Sequence, residues 1–188
     1  VATNQGDLQC RCLVVASGLV GVVLYLRYPA AMSANRAGAN REQLLAEVAD
    51  LDERAARIAV RLPDEYAGLL GSSRDRTNVG GGALALLSGR DRSQIVLPAS
   101  PAPVANPDQA TLLSWLADRL SRSSDGAQSQ SIQDLLTLVA TRKGLLVRLR
   151  RDLKLQAWLE VWLYVHVPLT FALLAAIIAH VLIVFLYW

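Results

Sequence analysis

The two histidines of this chain, His166 and His180, both fall in one apolar run near its C-terminus, "VWLYVHVPLTFALLAAIIAHVLIVFLYW", residues 161–188. An imidazole in hydrocarbon is costly, so an ionisable side chain there marks a functional site by default. At about 100° per residue, their spacing of 14 residues falls roughly 40° short of four full turns, so both rings share one stripe, about 21 Å apart along the axis. Three chemistries can satisfy such rings. One is a hydrogen bond to a neighbouring helix, a purely structural use. A second is a zinc or copper ion, but too few donors lie close together for that. The third is axial ligation of haem iron, where one histidine per face suffices and an apolar wall suits the macrocycle. Two co-facial histidines near opposite membrane surfaces fit two stacked haems better than two unrelated hydrogen bonds.

The surrounding sequence must hold those rings in place. Trp158, Trp162 and Tyr164 at one end, and Phe185, Tyr187 and Trp188 at the other, frame the run as interfacial aromatic belts do. Pro168 removes a helical hydrogen bond beside His166, either aiming that ring or bending the helix. The chain is 53% hydrophobic but only 6% aromatic, so its apolar content is mostly Leu, Val and Ala, and helices are expected throughout.

A first apolar run, "CLVVASGLVGVVLYLRY", spans residues 12–28, about 25 Å as a helix and close to the minimum for a span. Arg11 is the only basic residue before it, which favours a retained signal anchor over a cleaved signal peptide, although "PAAMSA" supplies small residues for cleavage. Gly18 and Gly21 mark helix packing on this run. Cys10 and Cys12, at its start, lack the spacing of a covalent haem motif.

Between the runs, Asn40 and Gln43 fit a capping box, and Pro63 stops the helix they open. Leu44, Val48, Leu51, Ala55, Ile58 and Leu62 alternate by four and three, either the seam of a short coiled coil or one face packed on its own domain. "VGGGALALLSG" lacks the ending of a phosphate loop and reads as a loop, and "LPASPAPVANP" as an extended linker. Asn106 and Pro107 start a second helix with Leu112, Leu113, Leu116 and Leu120 on one face. After a flexible "SRSSDGAQSQ", Ser131 and Asp134 open a third helix that runs toward the second span, with Gly144 its weakest point. Arg27, Arg36 and Arg41 follow the first span; Arg142, Lys143, Arg148, Arg150, Arg151 and Lys154 precede the second. This places the central region in the cytoplasm and both termini outside. The basic run "RLRRDLK" also suits anionic lipid.

The stretch "HVPLTFALLAAIIAH" resembles the ligand helices of bis-histidine, b-type membrane cytochromes, including the cytochrome b subunits of quinol oxidoreductases. The resemblance covers residues 158–188 only and implies His166 and His180 as axial ligands of two haem b groups. Leu173 and Ile177 stand on the histidine stripe where that family often has glycine. No other histidine exists in the chain to complete either iron. The missing ligands would come from a second copy, His166 pairing with His166 and His180 with His180 across a two-fold axis, or from a different haem-ligating subunit.

The expected architecture is an all-α membrane protein of the bacterial inner-membrane type, with two transmembrane helices flanking a cytoplasmic helical or coiled-coil region. Its parts are an outer tail (1–11), a first span (12–28), cytoplasmic helices and linkers (29–130), an amphipathic basic helix (131–157) and the histidine-bearing span (158–188). The expected function is an electron-transfer subunit rather than a stand-alone enzyme, sharing two haems across a homodimer. A cytoplasmic iron–sulfur or flavin protein and a quinone or outer-face cytochrome would be its redox partners, with membrane lipid around it and no nucleic acid. The alternative is a non-redox, membrane-anchored coiled-coil scaffold or assembly subunit.

Overall fold

The computed structural model describes residues 41–81, 83–88, 90–100 and 102–187, together with 15, 16, 18, 19 and 21–23 near the N-terminus. Those N-terminal residues are helical. The rest of the expected first span, the cysteine pair, Asn40 and the basic residues Arg11, Arg27 and Arg36 lie outside the described residues. The chain divides into two compact units, Asn35–Lys154 and a second that contains Leu155–Trp188 and the N-terminal segment.

The Asn35–Lys154 unit is mostly helical. Its first helix, α1 (Arg41–Ala59), buries Leu44, Ala55 and Ala59. Ala55 and Leu62 join the unit's core and Ile58 packs against it. The four-and-three stripe is therefore covered at these positions within its own domain, and the coiled-coil reading of it loses its footing. On the outer face, Arg54 pairs with Asp50 and Arg57 with Glu53 at i,i+4, a support of about 0.3–0.5 kcal/mol each.

Pro63 does more than end α1: it is the N-cap residue of α2 (Asp64–Asp75). This helix carries acidic residues in its first turn and Arg74 in its last, matching the helix dipole. The sequence pattern did not reveal it, because Gly68 and Gly71 dilute a face made only of Tyr66, Leu69 and Ser73. A short helix, α3 (Ala83–Ser88), follows within the glycine-rich stretch expected as loop.

The proline-rich segment expected as a linker contributes β2 (Pro103–Ala105), which pairs antiparallel with β1 (Gln94–Val96) just before that segment, Ile95 facing Val104. Ile95 is fully buried and plugs the core; that single anchor fixes a segment whose composition otherwise suggests no order. A 3₁₀ turn, Pro107–Gln109, leads into α4 (Ala110–Arg122), which buries Leu112 and Leu116. Asn106 precedes the 3₁₀ turn and Gln109 holds the N-cap position of α4, but Asn106 Oδ1 accepts the N–H groups of Thr111 at 3.1 Å and Leu112 at 3.2 Å. The α-helix nevertheless starts one turn late, because Asp108 and Gln109 take left-handed backbone angles. Trp115 meets Tyr66 edge to face at 5.1 Å, with the Arg119 guanidinium 4.9 Å from the Trp115 ring centroid.

The last helix, α5 (Gly126–Tyr187), starts earlier than Ser131 because Asp125 caps it, its Oδ1 accepting the Ala127 N–H at 3.1 Å. It runs on through Gly144 and Pro168. Ile132, Leu135 and Val139 complete the core. Among the described residues, α5 is the one helix long and apolar enough to cross a membrane.

Candidate functional site

In the unit containing Leu155–Trp188, the side chains of α5 from Leu163 onward are exposed almost throughout, Tyr164, Phe171, Ile177 and Val184 among them. An apolar helix so widely exposed suits lipid or a further helix, not water. His166 is half-buried and His180 exposed. The structure does not bring the two together; it places them on one stripe at separate levels, Leu173 between them half-buried and Ile177 exposed.

His166 has a defined neighbour. Its ring stacks on Trp162, centroids 4.6 Å apart and planes 16° from parallel. Sequence reasoning assigned Trp162 to an interfacial belt only; the i,i+4 spacing was the signal that it would meet His166. The benzo ring of the same indole fills the space beside Gly21, where an added Cβ would collide with Cζ2 and sit 2.9 Å from Cη2. Gly21 is thus a packing glycine of the N-terminal helical segment, whereas a Cβ on Gly18 would meet nothing within 4 Å. Trp162 Nε1 is buried without a hydrogen-bond partner among the described residues. One turn beyond His166, the Thr170 hydroxyl donates to the His166 carbonyl at 2.9 Å, next to Pro168, whose missing N–H interrupts the ladder.

The other polar constellation belongs to the Asn35–Lys154 unit. Arg142 is nearly buried, with Nε 2.7 Å from Asp52 Oδ1 in an ion pair. That N–H is not aimed for a hydrogen bond; Nη2 donates to Asp52 Oδ2 at 3.5 Å and to Thr77 Oγ1 at 3.3 Å. The Ser73 hydroxyl donates to Gln109 Oε1 at 2.8 Å. Eight residues along, Arg150 Nη1 lies 2.8 Å from Asp91 and 3.0 Å from Asp108. Burial, the largest influence on Asp52, raises its pKa against the opposing charge of Arg142. Burial also pushes Asp91 upward, but hydrogen bonds from Ser93 and the Asp108 backbone, with the Arg150 charge, outweigh it and hold Asp91 below the ordinary value. The two arginines tie α1 and the segments that carry Thr77, Asp91 and Asp108 to α5. They surround no reactive side chain and have the geometry of structural clamps.

Among the described residues, no three His, Cys, Asp or Glu side chains gather in a way that could hold a metal ion. Haem makes a different demand, one imidazole per axial position. His180 fits it, standing on exposed apolar surface with no hydrogen bond or ion pair among the described residues. His166 is half-buried, with one ring face against indole. The 188 residues supply no third imidazole to pair with either. No protein family, curated protein or solved structure matches the chain.

Proposed function

We propose that this is a membrane-anchored helical protein whose apolar helix supplies His166 and His180 as axial ligands to two b-type haems, shared with a second copy or a partner subunit. The observation that carries this reading is His180, an imidazole exposed on a bilayer-length apolar helix and on the same stripe as His166. Bound haem would supply a reversible one-electron step. The chain's own part is to present the imidazoles, exclude water with leucine, isoleucine and valine, and orient His166 through the Trp162 stack. In this reading the haem levels lie toward opposite membrane faces. Electrons would pass between a cytoplasmic iron–sulfur or flavin protein and a quinone or outer cytochrome, with the Asn35–Lys154 unit on the cytoplasmic side.

A second reading, a non-redox scaffold, is favoured by one observation: stacking on Trp162 gives His166 a structural use without any cofactor. The reduced-minus-oxidised visible spectrum of the full chain, purified from haem-replete membranes, separates the two. Ligation predicts a b-type α band that His166→Ala and His180→Ala each remove in part. A chain that assembles normally but shows no band, with both variants assembling like wild type, leaves the scaffold.

A further inference from the structure

Beside α5, within the Asn35–Lys154 unit, lies a cavity of about 450 Å³, within the size range of small-ligand sites. Five basic side chains line it, Arg90, Arg92, Arg150, Arg151 and Lys154, against one carboxylate, Asp108. Arg150, Arg151 and Lys154 follow Val147 at i+3, i+4 and i+7 and so share one face of α5. Arg90 and Arg92 come from the segment before β1.

The five cations are not equivalent. Arg150 is already neutralised by Asp91 and Asp108, and its Nη2 donates to the Asn78 carbonyl and the Ser93 hydroxyl, both at 3.1 Å. It is a fixed wall. Arg90, Arg92, Arg151 and Lys154 are exposed, and their side chains have no ion-pair partner among the described residues. Four uncompensated like charges around one cavity repel one another, and a multiply charged anion relieves that repulsion. Gly80 and Gly81 leave another wall free of side chains.

We propose that this cleft binds an anionic phosphate group, carried either by a lipid headgroup or by a soluble phosphate compound. The inference is independent of haem ligation. Basic residues at the membrane surface attract acidic headgroups, at about 1 kcal/mol per charge, and in sequence Lys154 directly precedes the unit that holds the apolar segment.

The test uses the full chain in neutral detergent micelles, titrated separately with phosphatidylglycerol, phosphatidylcholine and inorganic pyrophosphate. Lipid binding is read by native mass spectrometry, pyrophosphate binding by calorimetry, and thermal unfolding is followed for each. Phosphatidylglycerol should bind in preference to phosphatidylcholine. The triple variant R92Q/R151Q/K154Q should weaken anion binding by about tenfold or more, while R54Q/R57Q/R61Q, of equal charge change on α1 and the turn after it, changes it less than about twofold. Without ligand the first triple variant should melt at or above the wild-type temperature, because repulsion is removed; K154Q alone should weaken binding in the same direction. Binding of phosphatidylglycerol alone assigns a lipid headgroup, and protection by pyrophosphate assigns a soluble phosphate compound. If neither binds above phosphatidylcholine, or both triple variants weaken binding equally, the proposal is overturned.

Discussion

From Gly126 to Lys154, α5 buries one face, and the arginines that project inward find carboxylates from distant segments: Arg142 meets Asp52, and Arg150 meets Asp91 and Asp108. From Leu163 to Tyr187 the same helix shows exposed apolar side chains in nearly every direction, and the histidines are its ionisable groups apart from Tyr164 and Tyr187. One helix thus has a packed stretch and an exposed apolar one. In the first stretch the chain answers its inward-facing arginines, Arg142 and Arg150, so these are structural. In the second it answers His166 with Trp162 but offers His180 no hydrogen bond among the described residues. The contrast separates a side chain that holds the fold from one available to something else.

The sharpest way to break that contrast is to remove the same atoms from both stretches. Leu146→Ala, at a position 1% exposed, should cost about 3 kcal/mol, seen as a lower midpoint of thermal unfolding in detergent. Leu182→Ala, at 56% exposed, should cost less than about 1 kcal/mol. Equal losses would show that the distal stretch is covered as tightly as the core.

A smaller effect is expected where Gly21 meets Trp162, just before the distal stretch. Gly21→Ala drives a methyl group into the Trp162 ring, an overpacking cost of about 1–2 kcal/mol. Gly18→Ala, with open space around it, should be neutral or slightly stabilising. Unfolding midpoints of the two variants check the difference.

The proximal clamps can be told apart by pH. Asp91 titrates below its ordinary value in the folded chain, so its contribution is present above that value and lost as pH falls through the lowered one. Asp52 titrates above its ordinary value, so its contribution is present below that value and lost as pH rises through the raised one. Thermal midpoints across the acid range should therefore show opposite changes in slope for Asp91→Asn and Asp52→Asn, each relative to wild type. Slopes that move together would contradict the opposed directions.

The smallest expected effect is a gain. A methyl at Gly144 would meet nothing within 4 Å, so Gly144→Ala should raise stability by up to about 1 kcal/mol through helix propensity, measured in the same unfolding assay.

What the sequence made legible follows the range of the forces involved. The apolar run, the stop at Pro63 and the Asn106 cap depend on residues within a turn or two of one another, and periodicity exposes them. The clamps do not: Arg142 and Asp52 are 90 residues apart, and on the page Arg142 and Arg150 look like membrane-flanking charge. The hairpin was hidden for a similar reason, since its order rests on Ile95 entering a core built by other elements. The Trp162–His166 stack was local and readable; a plainer role for the tryptophan obscured it.

The most direct test of the haem account is the haem content of the purified full chain, measured as a pyridine haemochrome against quantified protein, together with its copy number in detergent. With two ligating histidines per chain and both irons bridged across a two-fold axis, the account predicts a dimer with one haem per chain. A folded, dimeric chain from haem-replete cells with no haem would contradict it.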